Sequence, residues 1–83
     1  MPTVHRLTGG QRVVIYPNDH RPAHVHVIGG GCEAVFELNC PGGPPTLRES
    51  YGFAARELNA IVRALQDLLA QLCNAWSSIH GTP

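Results

Sequence analysis

Between Ala23 and Leu38, apolar and polar side chains alternate twice around a run of glycines, a pattern that predicts a β-hairpin with two chemically different faces. In Ala23-His24-Val25-His26-Val27-Ile28, successive side chains point to opposite sides, so Val25 and Val27 share one face and His24 and His26 the other. Cys32-Glu33-Ala34-Val35-Phe36-Glu37-Leu38 alternates in the same way. A two-residue Gly30-Gly31 turn sets Val25 opposite Phe36, Val27 opposite Ala34, His24 opposite Glu37 and Ile28 opposite Glu33. A three-residue turn would mix the two faces. The favoured register predicts a solvent-side surface of His24, His26, Glu33, Val35 and Glu37.

The rest of the chain frames this hairpin. Thr3 to Leu7, a Gly9-Gly10 turn and Arg12 to Tyr16 predict a first hairpin, whose faces stay unassigned because Val13 to Tyr16 is continuously apolar. The prolines and glycines of 39–46 break both helix and strand, so that stretch is expected to be a loop. Leu47 to Tyr51 is either a short strand or an extended approach to the helix. From Ala54 to His80, apolar residues from Leu58 to Ile79 recur at three- and four-residue steps, which predicts one long amphipathic helix closed by Gly81. Ala54 has no oxygen with which to cap its start, so a frayed first turn is expected. Continuous, the helix would be about 40 Å long, against about 30 Å for a compact domain of this size. The overhanging stripe predicts a homodimer through the helix. The fold class expected is α+β, one domain over 1–83: a small antiparallel sheet of two β-hairpins (3–38), the Gly/Pro loop, and the helix (54–80) packed on the valine face.

Charge and cysteines narrow the classes of function. Six basic and six acidic residues balance, so the Lys/Arg-rich face of a nucleic-acid binder is missing and such a partner is disfavoured. No apolar run reaches the ~20 residues of a membrane span. Three cysteines, Cys32, Cys40 and Cys73, with no Cys-x-x-Cys spacing and no leader-like segment before them, are expected to be reduced thiols in a cytoplasmic protein.

The candidate chemistry lies in His20-Arg21-Pro22-Ala23-His24-Val25-His26, where two prolines bound a turn that pins His20 to the start of the histidine strand. Imidazoles at i and i+2 on one strand can converge on zinc or another transition metal, and His20 or a facing carboxylate would complete three ligands. The simpler expectation is a surface histidine pair without a cofactor, hydrogen-bonded to Glu37 and to the loop backbone. A third possibility is direct acid–base work by His20, His24, His26 and Glu37, as in a metal-independent ribonuclease, with Arg21 and Glu33 as binding residues. Arg21 beside Asp19 is equally explained as a loop-bracing ion pair. No phosphate-binding loop, dinucleotide fingerprint or nucleophile elbow is present.

Several ordered features resemble one family. Met-Pro-Thr-Val at the start, Tyr16-x-Asn18-Asp19-His20-Arg21-Pro22-x-His24-Val25-His26-Val27, Arg48-Glu49-x-x-Gly52, Glu57-Leu58 and Trp76-x-x-Ile79-His80-Gly81 are together similar to the domain of unknown function 4160 family of small bacterial proteins. The resemblance implies no reaction. It implies a gene neighbourhood laid out like a toxin–antitoxin pair, and hence a protein partner encoded nearby. Two departures are the Gly/Pro-rich insertion from Cys40 to Pro45 and the low charge from Ala64 to Ala75. The function expected first is therefore a self-associating interaction module of toxin–antitoxin type, and second a metal-binding or hydrolytic domain using the His/Glu face.

Overall fold

The computed structural model describes residues 3–81. Met1-Pro2 and residues 82–83, the ends of the expected domain, lie outside the described residues. The strands are β1 (Thr3–Arg6), β2 (Arg12–Val14), β3 (His24–Gly29), β4 (Cys32–Glu37) and β5 (Thr46–Tyr51), followed by helices α1 (Ala55–Asp67) and α2 (Leu69–His80). All strands join in one antiparallel sheet in chain order, β1-β2-β3-β4-β5. The class is α+β, as expected, but the sheet is a five-stranded meander and not two separate hairpins. Two pairings make the difference. Val13 and Val14 of β2 pair with Val27 and His26 of β3, and residues 46–51 add to β4 with Glu33 opposite Tyr51 and Val35 opposite Glu49.

The β3–β4 register is the one the alternation predicts: His24 opposite Glu37, Val25 opposite Phe36, Val27 opposite Ala34 and Ile28 opposite Glu33. Gly30 and Gly31 turn with φ of 57° and 79°, the left-handed pair a two-residue hairpin turn requires. Val13, Val25, Val27, Ala34 and Phe36 enter one apolar core with Ile61, Leu65, Leu69, Leu72 and Trp76 of the helices. The helices therefore lie on the valine face. Cross-strand pairing also resolves the first hairpin, where Val13 faces the core while Arg12 and Val14 face the other way.

The expected long helix is broken. Leu68 leaves helical geometry at φ −101°, ψ 6°, its N–H shared between the carbonyls of Ala64 and Leu65. No glycine or proline marks the break, which is why the sequence reads as one helix. Its effect is geometric: two helices of 13 and 12 residues fit a body of 32 × 25 × 21 Å, and both turn their stripes into the core, with Ile79 near the end of α2 left exposed. Leu65, Leu69, Leu72 and Trp76 are all buried in the chain's own core, so the overhang from which a helix-mediated dimer was expected does not exist. The helix start also differs. Ala54 donates its N–H to Glu57 Oε1 at 2.9 Å, the half of a capping box that needs no oxygen at position 54.

The expectation of three reduced thiols is likewise corrected. Cys40 and Cys73 form a disulfide that ties the Gly/Pro loop to α2, and only Cys32 is free. The premise for a reducing compartment goes with it. Among the described residues, no helix is long and apolar enough to cross a membrane.

Candidate metal centre

The site forms where the loop 15–23 returns to the sheet. Ile15 is buried in the core and anchors one end of that loop, while Leu38 N–H donates to the Ala23 carbonyl at 2.9 Å and fixes the other. Between these anchors, Asp19 closes a tight turn: its N–H donates to the Tyr16 carbonyl at 3.0 Å, and its Oδ2 accepts from Tyr16 N–H at 2.9 Å. The turn leaves Oδ1 aimed at the histidine strand. It lies 3.3 Å from His26 Nε2 and 3.5 Å from His24 Nε2.

Two further contacts orient the imidazoles. His24 Nδ1 lies 2.9 Å from the Pro22 carbonyl, an acceptor only, so Nδ1 donates to it and Nε2 is the nitrogen turned toward Asp19. His26 has a carboxylate at each nitrogen, Glu33 Oε2 at 3.4 Å from Nδ1 and Asp19 Oδ1 at Nε2. A neutral imidazole has one N–H and satisfies only one of them. Two imidazole nitrogens and a carboxylate oxygen thus converge on one point, where a shared proton or a metal ion can sit between them. Among the described residues, Asp19, His24 and His26 are the group that could hold a metal, one ligand atom from each lying within 4.8 Å of the others.

Aromatic rings enclose the site. Tyr16 packs edge-on against His26 with ring centroids 4.8 Å apart, and Trp76 of α2 packs against His24 at 5.2 Å. Trp76 also packs against His80 at 4.2 Å, and His80 Nε2 donates to the Tyr16 carbonyl at 3.1 Å, which fastens the end of α2 to the loop carrying Asp19. The side chains of His24, Asp19 and His26 are 7%, 13% and 16% exposed, so the site is sheltered yet reachable.

Against the sequence reading, His24 and His26 converge as expected, but they are not the exposed surface pair that was anticipated. His20, the expected third ligand, is exposed on the loop and outside the cluster. Glu37 lies opposite His24 in register, yet His24 turns to Pro22 and Asp19 instead. Glu33 touches His26 across the hairpin, and Arg21 is exposed on the same loop. Asp19 is the residue whose role the sequence reading missed. The sequence places Asp19 only beside Arg21 within a proline-bounded turn, and the available signal is that an Asx turn uses one carboxylate oxygen and leaves the second to project toward a neighbouring strand. A cleft of about 200 Å³ between the Gly9-Gly10 turn, the Gly29–Gly31 turn and α1 carries one carboxylate, Glu57, and no imidazole.

No curated protein and no solved structure matches this chain. The family model described as a domain of unknown function (DUF4160) matches residues 10–77, a span holding the Asp19 turn, the histidine strand and Trp76, and the chain belongs to that family.

Proposed function

We propose that this chain is a small metal-binding domain in which Asp19, His24 and His26 hold a divalent transition metal, zinc being the simplest fit to two imidazoles and a carboxylate. One observation carries the reading. The two N···O separations, 3.3 and 3.5 Å, are long for a charge-assisted hydrogen bond of about 2.7–2.9 Å. They match two of the three ligand–ligand edges, about 3.3–3.4 Å, of a tetrahedron with metal bonds of about 2.0–2.1 Å, and a bound metal would draw in the third edge from within the 4.8 Å that spans the three ligand atoms. Pro22 and Glu33 fix the rings from behind, as partners of ligating histidines do. Three protein ligands leave one position for water or an external donor, the layout that supports metal-assisted hydrolysis. Direct two-imidazole acid–base work fits less well, because both Nε2 atoms point at one carboxylate oxygen and not at opposite sides of a substrate.

A self-associating toxin–antitoxin component called for an exposed apolar helix stripe, and Leu65, Leu69, Leu72 and Trp76 of that stripe are buried. The protein partner therefore rests on the family resemblance, and the metal reading takes precedence.

Cobalt(II) titration of the metal-free protein tests it, followed by displacement with zinc. Wild type is expected to develop the visible absorption of a tetrahedral site. The isosteric D19N should lose at least about a hundredfold in affinity, since even the groups behind such ligands are worth about ten- to a hundredfold. H20A should bind as wild type does. Equal affinity in D19N and wild type, or equal losses in H20A and H24A, would overturn the assignment.

A further inference from the structure

Asp19 and His24 reach the site from different elements, a loop and a strand, and two side chains one helical turn apart on α2 brace both. Trp76, fully buried, lies over His24 with ring centroids 5.2 Å apart. One turn on, His80 packs on Trp76 at 4.2 Å, and its Nε2 donates to the Tyr16 carbonyl at 3.1 Å. That carbonyl accepts twice, since the Asp19 N–H also donates to it at 3.0 Å, and the Tyr16 N–H in turn donates to Asp19 Oδ2 at 2.9 Å. His80 therefore completes the hydrogen bonding of the residue whose backbone sets both the main chain and the carboxylate of Asp19. A carbonyl only accepts, so Nε2 carries its proton whether the ring is neutral or charged, and the contact does not depend on titration.

We infer that His80 is a positioning residue of the metal centre: it latches the end of α2 to the Tyr16–Asp19 turn and holds Asp19 Oδ1 where the metal binds. The role presupposes the metal reading of Asp19, His24 and His26. What else restrains the loop makes the latch necessary. Between buried Ile15 and the Ala23–Leu38 hydrogen bond, Pro17, Asn18, His20, Arg21 and Pro22 are all exposed, so the turn around Asp19 has little apolar packing of its own. Exposed loops of this kind open locally at small cost, whereas His24 and His26 sit on a strand paired on both sides. A metal leaves by shedding its ligands in turn, and Asp19 is the ligand free to swing away first. His80 closes that route by tying the turn to a helix seated in the core through Leu69, Leu72 and Trp76. Its half-buried place at the last residue of α2 means that it can be replaced without opening the core.

The rate at which cobalt(II) passes from the full chain to excess chelator tests the latch, and three variants divide the contact. H80F keeps a ring on Trp76 and removes the donor, H80Q keeps a donor and removes the ring, and H80A removes both. Cobalt should leave H80F and H80A about tenfold faster than wild type, the low end for groups behind a metal ligand, while H80Q stays within about threefold of wild type. Melting of the metal-free proteins should be nearly the same for wild type and H80F, which separates the latch from the fold. Amide hydrogen exchange in the metal-free chain reads the latch without any metal: the Tyr16 and Asp19 amides should exchange at least about tenfold faster in H80F than in wild type. Wild-type release from H80F overturns the proposal, as does release from H80Q as fast as from H80A. Unchanged exchange at the two amides removes the latch even where cobalt binds. Wild type that binds no cobalt while H80F still speeds their exchange locates the failure in the metal reading, and the positioning role falls with it.

Discussion

The two faces of the sheet are built from the same strands and do opposite work. The covered face is uniformly apolar, Val25, Val27, Ala34 and Phe36 meeting Leu65, Leu72 and Trp76, each within a few per cent of full burial. The open face carries the histidines, the arginines and three of the carboxylates. A strand period of two lets one hexapeptide serve both ends, because its odd positions hold the fold and its even positions hold the chemistry. Substitution tolerance should therefore change between adjacent residues, a contrast that Phe36 and Glu37 test most directly. Phe36→Ala opens a cavity beneath the helices and should cost about 3–5 kcal/mol, whereas Glu37→Ala should stay within about 0.5 kcal/mol. Urea unfolding measures both. Equal losses would mean that the two faces are not energetically distinct.

That contrast also explains what was legible in the sequence. Alternation and the Gly30-Gly31 turn specify a register because a one-residue slip would turn Val25 and Val27 away from the helices, so β3 and β4 could be read residue by residue. Two features were not legible, for different reasons. The break at Leu68 satisfies the geometry of the whole body, since both halves must reach one small sheet, and no local residue announces it. Asp19 joins the histidines through a loop folded back by contacts distant in sequence, the buried Ile15, the Ala23–Leu38 hydrogen bond and the His80–Tyr16 contact. Half of the site, His24 and His26, obeys strand periodicity and was found; the half supplied by the loop was not.

The disulfide sharpens the comparison from the side of the covered face. Cys40 and Cys73 are separated by 33 residues and join the loop after β4 to α2, two elements the sheet does not otherwise connect. Restricting the unfolded chain over a loop of that length is worth about 3–4 kcal/mol in the chain-entropy account. Because Cys73 precedes Trp76 by three residues, one helical turn, the tether also bears on the rings over His24. C40S/C73S should melt lower by an amount consistent with that loss, and a thiol assay should rise from one reactive cysteine to three when wild type is reduced and unfolded. An unchanged melting temperature in the double variant would show that α2 is held on the sheet by apolar packing alone.

The smallest expected effect lies on the open face, at the edge strand. Tyr51 and Glu49 are two residues apart on β5, and with Val35 opposite Glu49 and Phe36 opposite Leu47, Arg48 is the extra residue of a bulge that still leaves both side chains on the histidine side. Tyr51 donates its hydroxyl to Glu49 Oε2 at 2.7 Å. That hydrogen bond holds the phenol in its protonated form, the Glu49 charge opposes the phenolate, slight desolvation adds to this, and the more distant Glu33 charge acts the same way, so Tyr51 titrates above the ordinary 10.0. The sign is clear: a carboxylate neighbour disfavours ionisation of an acid, and removing its charge must bring the titration down. Tyr51 is exposed, so salt should screen the effect and stability should hardly change. In a spectrophotometric titration, E49Q should ionise its tyrosines at lower pH than wild type, with the difference between the two curves narrowing in high salt. Superimposable curves would mean that Tyr51 and Glu49 do not meet, and that the bulge at Arg48 turns the end of β5 away from the face where the carboxylates and histidines gather.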